Sequence, residues 1–399
     1  MQHKSILIFG GGLNQYTLIK AANNSGITSV VLDPDPSSPG RQIASHFYSV
    51  KGDDYETTKK IALKHKVAGL ATTQMEKPLR LMATLAQEIG LPFLSPEVVE
   101  RSLDKWLMKC VFQKLGIPCA NAKLFLYGKK IDQSSIKEFQ YPLILKPRNA
   151  HSSQGVVKVD SIQQLIKNAD ITRTFSKNGE IIVEEFLEGP EYSVESITYL
   201  GNTTIIQYTE KFLTPAPYAV EMGHLQPAAL SDKQKKDIER IVLSSIQALG
   251  IDNAATHAEI KLTAAGPKLL EIGPRGGGDF ISSYLTLTSS GVNMDEAIIQ
   301  VALGINPDLS QKAKQFAYIR YFDLPVGKKV VEIKNWQYVL EQPDVVYAQV
   351  AVKPGDRIEV ITESKKRPGF VLVKGSERKD VETMAEKYIE IIKSKIILN

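Results

Sequence analysis

At 399 residues the chain exceeds one ordinary hydrophobic core, so two or three domains are expected. With 43% hydrophobic and 23% charged residues it reads as globular, and its formal charge of +5 is spread along the chain, which suits small anionic ligands and leaves no footprint for nucleic acid. Cys110 and Cys119 are the only cysteines and lack zinc or redox spacing, no apolar run reaches membrane length, and the first residues lead into a strand without a signal peptide, so a cytoplasmic protein with no membrane partner is expected.

In chain order, 5–9 is a buried-type strand, Gly10-Gly-Gly-Leu-Asn14 a turn, 15–24 a helix and 28–33 a second strand ending in Asp33. The turn departs from G-x-G-x-x-G because Gln15 stands where the third glycine belongs, so a nicotinamide enzyme is the weakest reading. Pro34, Pro36 and Pro39 mark a loop, 67–72 reads as a strand and 78–89 as a helix; together 1–96 form one α/β unit. A helix over 102–116 stops at Gly116 and carries Lys105 near its start, where an ammonium and a helix N-terminus can share a phosphate.

The strand over 141–148 holds Lys146 among apolar neighbours, a costly placement unless the lysine meets an anion. The small polar turn Asn149-Ala-His-Ser-Ser-Gln-Gly155 follows, and Ser152, Ser153 and Gly155 could fold over phosphates, although no P-loop pattern is present. Two strands over 179–195 flank a bend and carry Glu184, Glu185, Leu187 and Glu191; backbone groups at such a bend can read an adenine edge, and a carboxylate can accept from ribose hydroxyls. The Pro-rich stretch 214–227, with Glu221, His224 and Gln226, is expected to be an irregular substrate-facing loop, followed by an amphipathic helix over 232–249.

Next come His257-Ala-Glu-Ile-Lys-Leu and Leu269-Leu-Glu-Ile-Gly-Pro-Arg-Gly-Gly-Gly-Asp279, a hairpin around Thr263-Ala-Ala-Gly-Pro267. Glu259 and Glu271 can face the same side of adjoining strands, an unfavourable pairing unless a cation lies between them; magnesium suits two carboxylates plus phosphate oxygens. Arg275 and the glycines add a fixed cation and close backbone approach. Each acid also admits a plainer reading as a solvated hairpin residue, and His224 and His257 as hydrogen-bonding histidines. A short helix is expected over 295–303. Beyond 316, strands over 318–323, 329–333, 345–352, 357–362 and 369–374 and a helix over 381–395 suggest a separate β-rich lobe.

The order Asp104-Lys105, Ile144-Leu-Lys146-Pro, a small-residue loop, Val183-Glu-Glu-Phe-Leu187 with Gly-Pro-Glu191, Glu259, then Glu271-x-x-x-Arg275 closely resembles the ATP-grasp superfamily over nearly the whole chain. The resemblance implies an α/β (α+β) architecture: a Rossmann-like pre-ATP-grasp domain over 1–96, an ATP-grasp domain over 97–308 with a lid subdomain at about 120–187, and a β-rich C-terminal lobe over 309–399. It implies that Lys105 and Lys146 hold ATP phosphates, Ser152, Ser153 and Gly155 belong to the closing loop, and Glu184, Glu185 and Leu187 form the adenine hinge. Glu191 would bind ribose, Glu259 and Glu271 would bind magnesium (or manganese in its place), and Arg275 would steady an acyl phosphate. The family's Glu-x-Asn-x-Arg is broken by Gly273, which removes an amide oxygen from the expected metal shell.

The Glu221-Met-Gly-His224-Leu-Gln-Pro227 segment resembles the Gly-His-x-x-Pro of L-amino-acid ligases and related carboxylate–amine ligases, with His224 near the acyl phosphate or the acceptor amine. The expected function is therefore ATP-dependent joining of a small carboxylate, an amino acid by preference, to an amine, giving ADP and phosphate. A bicarbonate-activating carboxylase of the purine-pathway type and an ATP-binding protein without turnover are the alternatives. A homodimer is the general prior for a soluble enzyme.

Overall fold

The computed structural model describes residues 4–149, 154–215 and 218–399. It opens with β1 (Ser5–Phe9), α1 (Leu13–Asn24), β2 (Thr28–Asp33), β3 (His46–Ser49), α2 (Tyr55–Lys64), β4 (Gly69–Ala71) and α3 (Leu79–Ile89). The four strands form a parallel sheet in the order β3-β2-β1-β4, and its central residues Ile6, Leu7, Ile8, Val30 and Val31 are fully buried, as a sheet covered on both faces requires. Gly10 takes φ +95°, and the Asp33 carboxylate accepts from the Gly11 N–H at 2.7 Å. The acid that a dinucleotide-binding fold would offer to a ribose is thus engaged in closing its own turn.

Where one helix over 102–116 is expected, there are two: α4 (Pro96–Leu103) and α5 (Lys105–Lys114). Asp104 divides them because its carboxylate accepts from the N–H groups of Trp106 and Leu107, an N-cap that starts a new helix with Lys105 as its first residue. Next come β5 (Ala122–Phe125), β6 (Leu143–Pro147), β7 (Val157–Val159), α6 (Ile162–Thr174) and β8 (Ile181–Glu185). Their antiparallel sheet, in the order β5-β8-β6-β7, closes over its own core of Phe125, Ile136, Leu143, Leu145, Leu165 and Val183.

The second half contains β9 (Glu191–Tyr199), β10 (Asn202–Leu213), β11 (Glu221–Gln226), α7 (Asp232–Leu249), β12 (Ala254–Thr263), β13 (Gly266–Gly273), α8 (Thr286–Ser290) and α9 (Met294–Ala302). It closes with β14 (Phe316–Phe322), β15 (Val330–Ile333), β16 (Val345–Val350), β17 (Gly369–Gly375), α10 (Arg378–Ser394) and β18 (Ile396–Leu398). Two expectations are corrected. The stretch holding Glu221, His224 and Gln226 is a strand, because β10 and β14 pair with it on its two sides. No strand forms over 357–362; Arg357 makes only an isolated bridge to Lys329, since the sheet already ends at β16.

The large sheet runs β13-β12-β9-β10-β11-β14-β17-β16, so the C-terminal strands β14, β17 and β16 continue the sheet that carries the paired glutamates, while β15 and β18 pair in a two-stranded sheet of their own. One core extends from Leu7 and Leu32 through Met82 and Phe112 to Val242 and Ile272, binding the parallel sheet to the β12–β13 hairpin. A second seam joins α1 to α9. Among the described residues no helix is long and apolar enough to cross a membrane.

Two predictions test this seam. A Cβ on Gly69 would lie 2.4 Å from the Ala302 carbonyl oxygen, so Gly69→Val is expected to cost about 2–4 kcal/mol in denaturant unfolding. Asp295, at the start of α9, is buried with Oδ1 lacking a hydrogen-bond partner, and burial pushes its carboxyl up to about 6. Its folded form holds a proton that the unfolded chain releases at lower pH, so this contribution is full below the ordinary carboxylate range and is lost as pH rises through about 6. Comparing urea midpoints at about pH 4 and about pH 7 should show that loss in the parent chain and a smaller one in Asp295→Asn.

Candidate active site

The β12–β13 hairpin sets the site. Glu259 pairs directly with Glu271, and the register then slips so that Ile260 meets Leu269 and Leu270 is the extra residue of a bulge. Two carboxylates in direct cross-strand opposition repel unless each has a counter-charge. Lys105 Nζ lies 2.7 Å from Glu271 Oε2, and Lys211 Nζ lies 2.7 Å from Glu259 Oε1.

Lys211 projects from β10 and is almost wholly buried; its Nζ also lies 2.7 Å from Glu191 and 3.4 Å from Glu221. Burial opposes the Lys211 charge, and the three carboxylates outweigh it and raise its pKa well above the ordinary lysine value. Burial likewise opposes the charge on Lys105, which Glu271 and Glu76 more than offset. Glu259 is held well below the ordinary carboxylate range, with Lys211 and His257 overcoming its burial.

Lys105 and the four glutamates Glu191, Glu221, Glu259 and Glu271 line one cavity of about 220 Å³, with Lys211 behind its wall. Its walls include Lys105, Lys146, Glu184, Glu185, Leu187, Glu191, Glu259 and Glu271, which collects most of the sequence-derived candidates in one place. At the other end from the glutamate pair in sequence order, Lys146 Nζ lies 2.8 Å from Glu184 Oε1. Lys109, a residue the sequence gave no reason to select, approaches the same oxygen at 3.3 Å. Burial lowers the Lys146 pKa, and Glu184 only partly restores it. Glu185 pairs with Lys268 and accepts from the Asn121 N–H, which fixes the β8 end.

Gly155 stands between the lining residues Gln154 and Val156 at φ +70°, and a Cβ there would lie 2.7 Å from Phe175 and 2.9 Å from Pro147. Ser152 and Ser153 lie outside the described residues.

Arg275 and His224 do not line the cavity. Arg275 is half-buried beside the glutamate pair, with its Nη2 2.6 Å and its Nε 2.9 Å from Glu76 Oε1, on the segment after β4. Gly273 faces the same acid: a Cβ there would lie 3.3 Å from Glu76 Oε1, so the side-chain space at the missing asparagine is bordered by a carboxylate. His224 is buried within β11, its Nε2 3.1 Å from Asp279 Oδ2. Arg367 grips both oxygens of Asp279 at 2.7 Å and lies over the Tyr321 ring at 3.6 Å, so His224 belongs to a cluster reaching into the C-terminal strands.

His257 pairs with the buried Glu195, which also accepts from the Gly277 N–H at 2.9 Å. Burial opposes the imidazolium, but Glu195 outweighs it and lifts the pKa to about 9. Asp279 and Phe280 take φ +52° and +61°, a left-handed pair that costs side-chain-bearing residues energy and concentrates at functional loops.

The donor set fits a divalent cation. Among the described residues no cluster of three or more His, Cys, Asp or Glu could hold a metal unaided, whereas Glu259 and Glu271 match the one or two carboxylates that a magnesium ion completed by phosphate would need.

An ATP-grasp domain model matches residues 139–283, and a model for L-amino acid ligase C-terminal domain 2 matches 320–396. The chain therefore carries an ATP-grasp domain. The L-amino acid ligase C-terminal match runs from within β14 to just past α10 and includes β16 and β17, which continue the large sheet. Human carnosine synthase 1 is 24% identical over 79% of this chain and 41% of that protein, and alanine–anticapsin ligase from Bacillus subtilis is 28% identical over 49% of this chain and 47% of that protein. The chain thus spans less than half the length of these two curated relatives. The crystal structure of L-amino acid ligase from Bacillus licheniformis superposes with a TM-score of 0.83 at 22% identity, covering 98% of each chain, which shows a shared fold.

Lys211→Met should leave Glu191, Glu221 and Glu259 without their shared cation. The expected result is a loss of about 3–5 kcal/mol at neutral pH, partly recovered as pH falls and the carboxylates protonate, read by thermal unfolding at about pH 5 and about pH 8.

Proposed function

We propose that the protein is an ATP- and magnesium-dependent carboxylate–amine ligase that joins a small carboxylate, an amino acid by preference, to an amine. The observation that carries this reading is the direct pairing of Glu259 with Glu271 in a cavity whose walls also hold Lys105, Lys146 and the Glu184–Leu187 bend. The relatives named for joining amino acids, and the C-terminal domain shared with L-amino acid ligases, support the choice of substrate class.

In this proposal the bend at Glu184, Glu185 and Leu187 receives adenine and Glu191 the ribose, while Lys105 and Lys146 hold the phosphates with Lys211 beside them. Gln154, Gly155 and Val156 would border the nucleotide. Glu259 and Glu271 would hold magnesium, which supplies charge neutralisation at the phosphates. A carboxylate is a poor electrophile until its oxygen takes the γ-phosphoryl group and ADP leaves. The amine then attacks the acyl carbon, and phosphate departs with the acyl oxygen. Arg275, beside the glutamate pair and held by Glu76, would steady the oxygen that gains charge, and alignment with charge neutralisation would supply most of the catalysis. His224 acts at one remove, through Asp279.

The domain limits at 96/97 and 308/309 and a cytoplasmic location belong to the same proposal; the unpaired Cys110 and Cys119 fit a reducing compartment.

The test is release of phosphate from magnesium ATP against amino acids singly and in pairs, with bicarbonate in a separate reaction, followed by mass spectrometry. A new amide mass appearing with ADP is expected, and it should vanish in Lys146→Ala and in Glu271→Ala. Stimulation by bicarbonate alone would assign a carboxylase instead, and unchanged turnover in either variant would sink the site.

A further inference from the structure

Lys109 is a lysine in the wrong place for a surface charge. It stands one helical turn after Lys105 on α5 and is among the largest fully buried side chains of the described residues. Among the described residues its Nζ has no hydrogen-bond partner and one counter-charge, Glu184 Oε1 at 3.3 Å. That oxygen is shared, because Lys146 Nζ lies 2.8 Å away from it. Lys105, the nearest other lysine on the helix, is committed to Glu271. One buried ammonium group and one at the cavity wall therefore bracket one buried carboxylate, and this trio is one positive in excess.

The two lysines are not equivalent. Lys146 and Glu184 line the cavity, and Lys109 does not. An incoming polyphosphate can draw Lys146 away from Glu184 but cannot reach Lys109. Without Lys109, that movement would strand Glu184 as a bare buried carboxylate, a costly state. With Lys109 in place, Glu184 keeps a counter-charge throughout.

We propose that Lys109 is a positioning residue for nucleotide binding: it holds Glu184 neutralised from behind the cavity wall, so that Lys146 can exchange its carboxylate for a phosphate. A side chain that never touches the nucleotide thus sets its affinity. The proposal rests on the reading of the cavity as an ATP site. The lowered pKa of Lys146, due to burial with Lys109 and Lys105 nearby, agrees with a cation awaiting an anion.

The experiment is calorimetric titration with magnesium ATP of the parent chain, Lys109→Met, Glu184→Gln and the double variant, each checked for folding by thermal unfolding. Absence of binding in the parent chain would overturn the nucleotide reading itself. With binding established, Lys109→Met is expected to weaken ATP on the order of 30-fold, because one partner of a buried pair has been removed. In the Glu184→Gln background the same substitution should have little effect, since no carboxylate remains to be stranded. A lysine that only fills space would give equal losses in both backgrounds; that result, or unchanged affinity in Lys109→Met, overturns the proposal. Lys109→Arg keeps the charge and is expected to bind ATP more tightly than Lys109→Met. If Lys109→Met does not fold, Lys109→Gln takes its place in the cycle with the same expectations.

Discussion

Charge taken out of water needs opposite charge within reach, and the centre of this molecule is arranged by that constraint. Glu259 and Glu271 stand directly opposite each other, and the chain tolerates them because Lys211 arrives from β10 and Lys105 from the first turn of α5. The same constraint places Lys109 and Lys146 around Glu184, and Arg275 against Glu76. Each pairing joins segments far apart in sequence, so electrostatic neutrality also fastens the parallel-sheet unit, the helix that opens the second unit and the large sheet to one another. A buried ion pair adds little net stability over an apolar one. The retention of so many here is better understood as readiness for a charged ligand, for which the internal pairs act as stand-ins.

The sequence exposed the parts of this arrangement that have a local signature. The run Ile6 to Phe9, the hairpin around Gly266 and the helix Asp232–Leu249, with its Ser231–Gln234 capping box, are written in short-range pattern and stand where pattern puts them. Most of the candidate site residues were also recognisable, because Lys146 in an apolar strand and an acid on each arm of a hairpin are locally anomalous. The remainder has no local signal. Residues 221–226 read as polar loop, and only pairing with β10 and β14 makes them a buried strand. Lys211 and Lys109 look like ordinary exposed lysines until distant strands and helices close around them. Asp104 splits an otherwise continuous helix pattern through a cap whose two hydrogen bonds depend on backbone geometry.

The cavity lies where the small antiparallel sheet meets the large one: Ile144, Lys146 and Glu184 come from the former, Glu191, Glu259 and Glu271 from the latter. The small sheet has a core of its own and so can move as a unit without losing its packing. The large sheet is anchored on one face to the parallel-sheet unit through Leu7, Met82 and Ile272. In the proposed reading both sheets would contact the nucleotide, the small one through the Glu184 bend and Lys146 and the large one through Glu191 and the glutamate pair, an arrangement suited to binding first and aligning afterwards.

The β11–β14 pairing has a further consequence. Among the described residues, four paired register positions, from Gly223 with Arg320 to Gln226 with Ala317, join the ATP-grasp part of the sheet to the C-terminal part along its backbone. A chain shortened before Phe316 would leave β11 as a bare edge, with its N–H and C=O groups unpaired beside the newly uncovered Leu225 and His224. Such an edge recruits strands from other molecules. The C-terminal strands thus serve as the sheet's own protection against self-association, and any rearrangement of this architecture by fusion or circular permutation has to keep them attached at that seam.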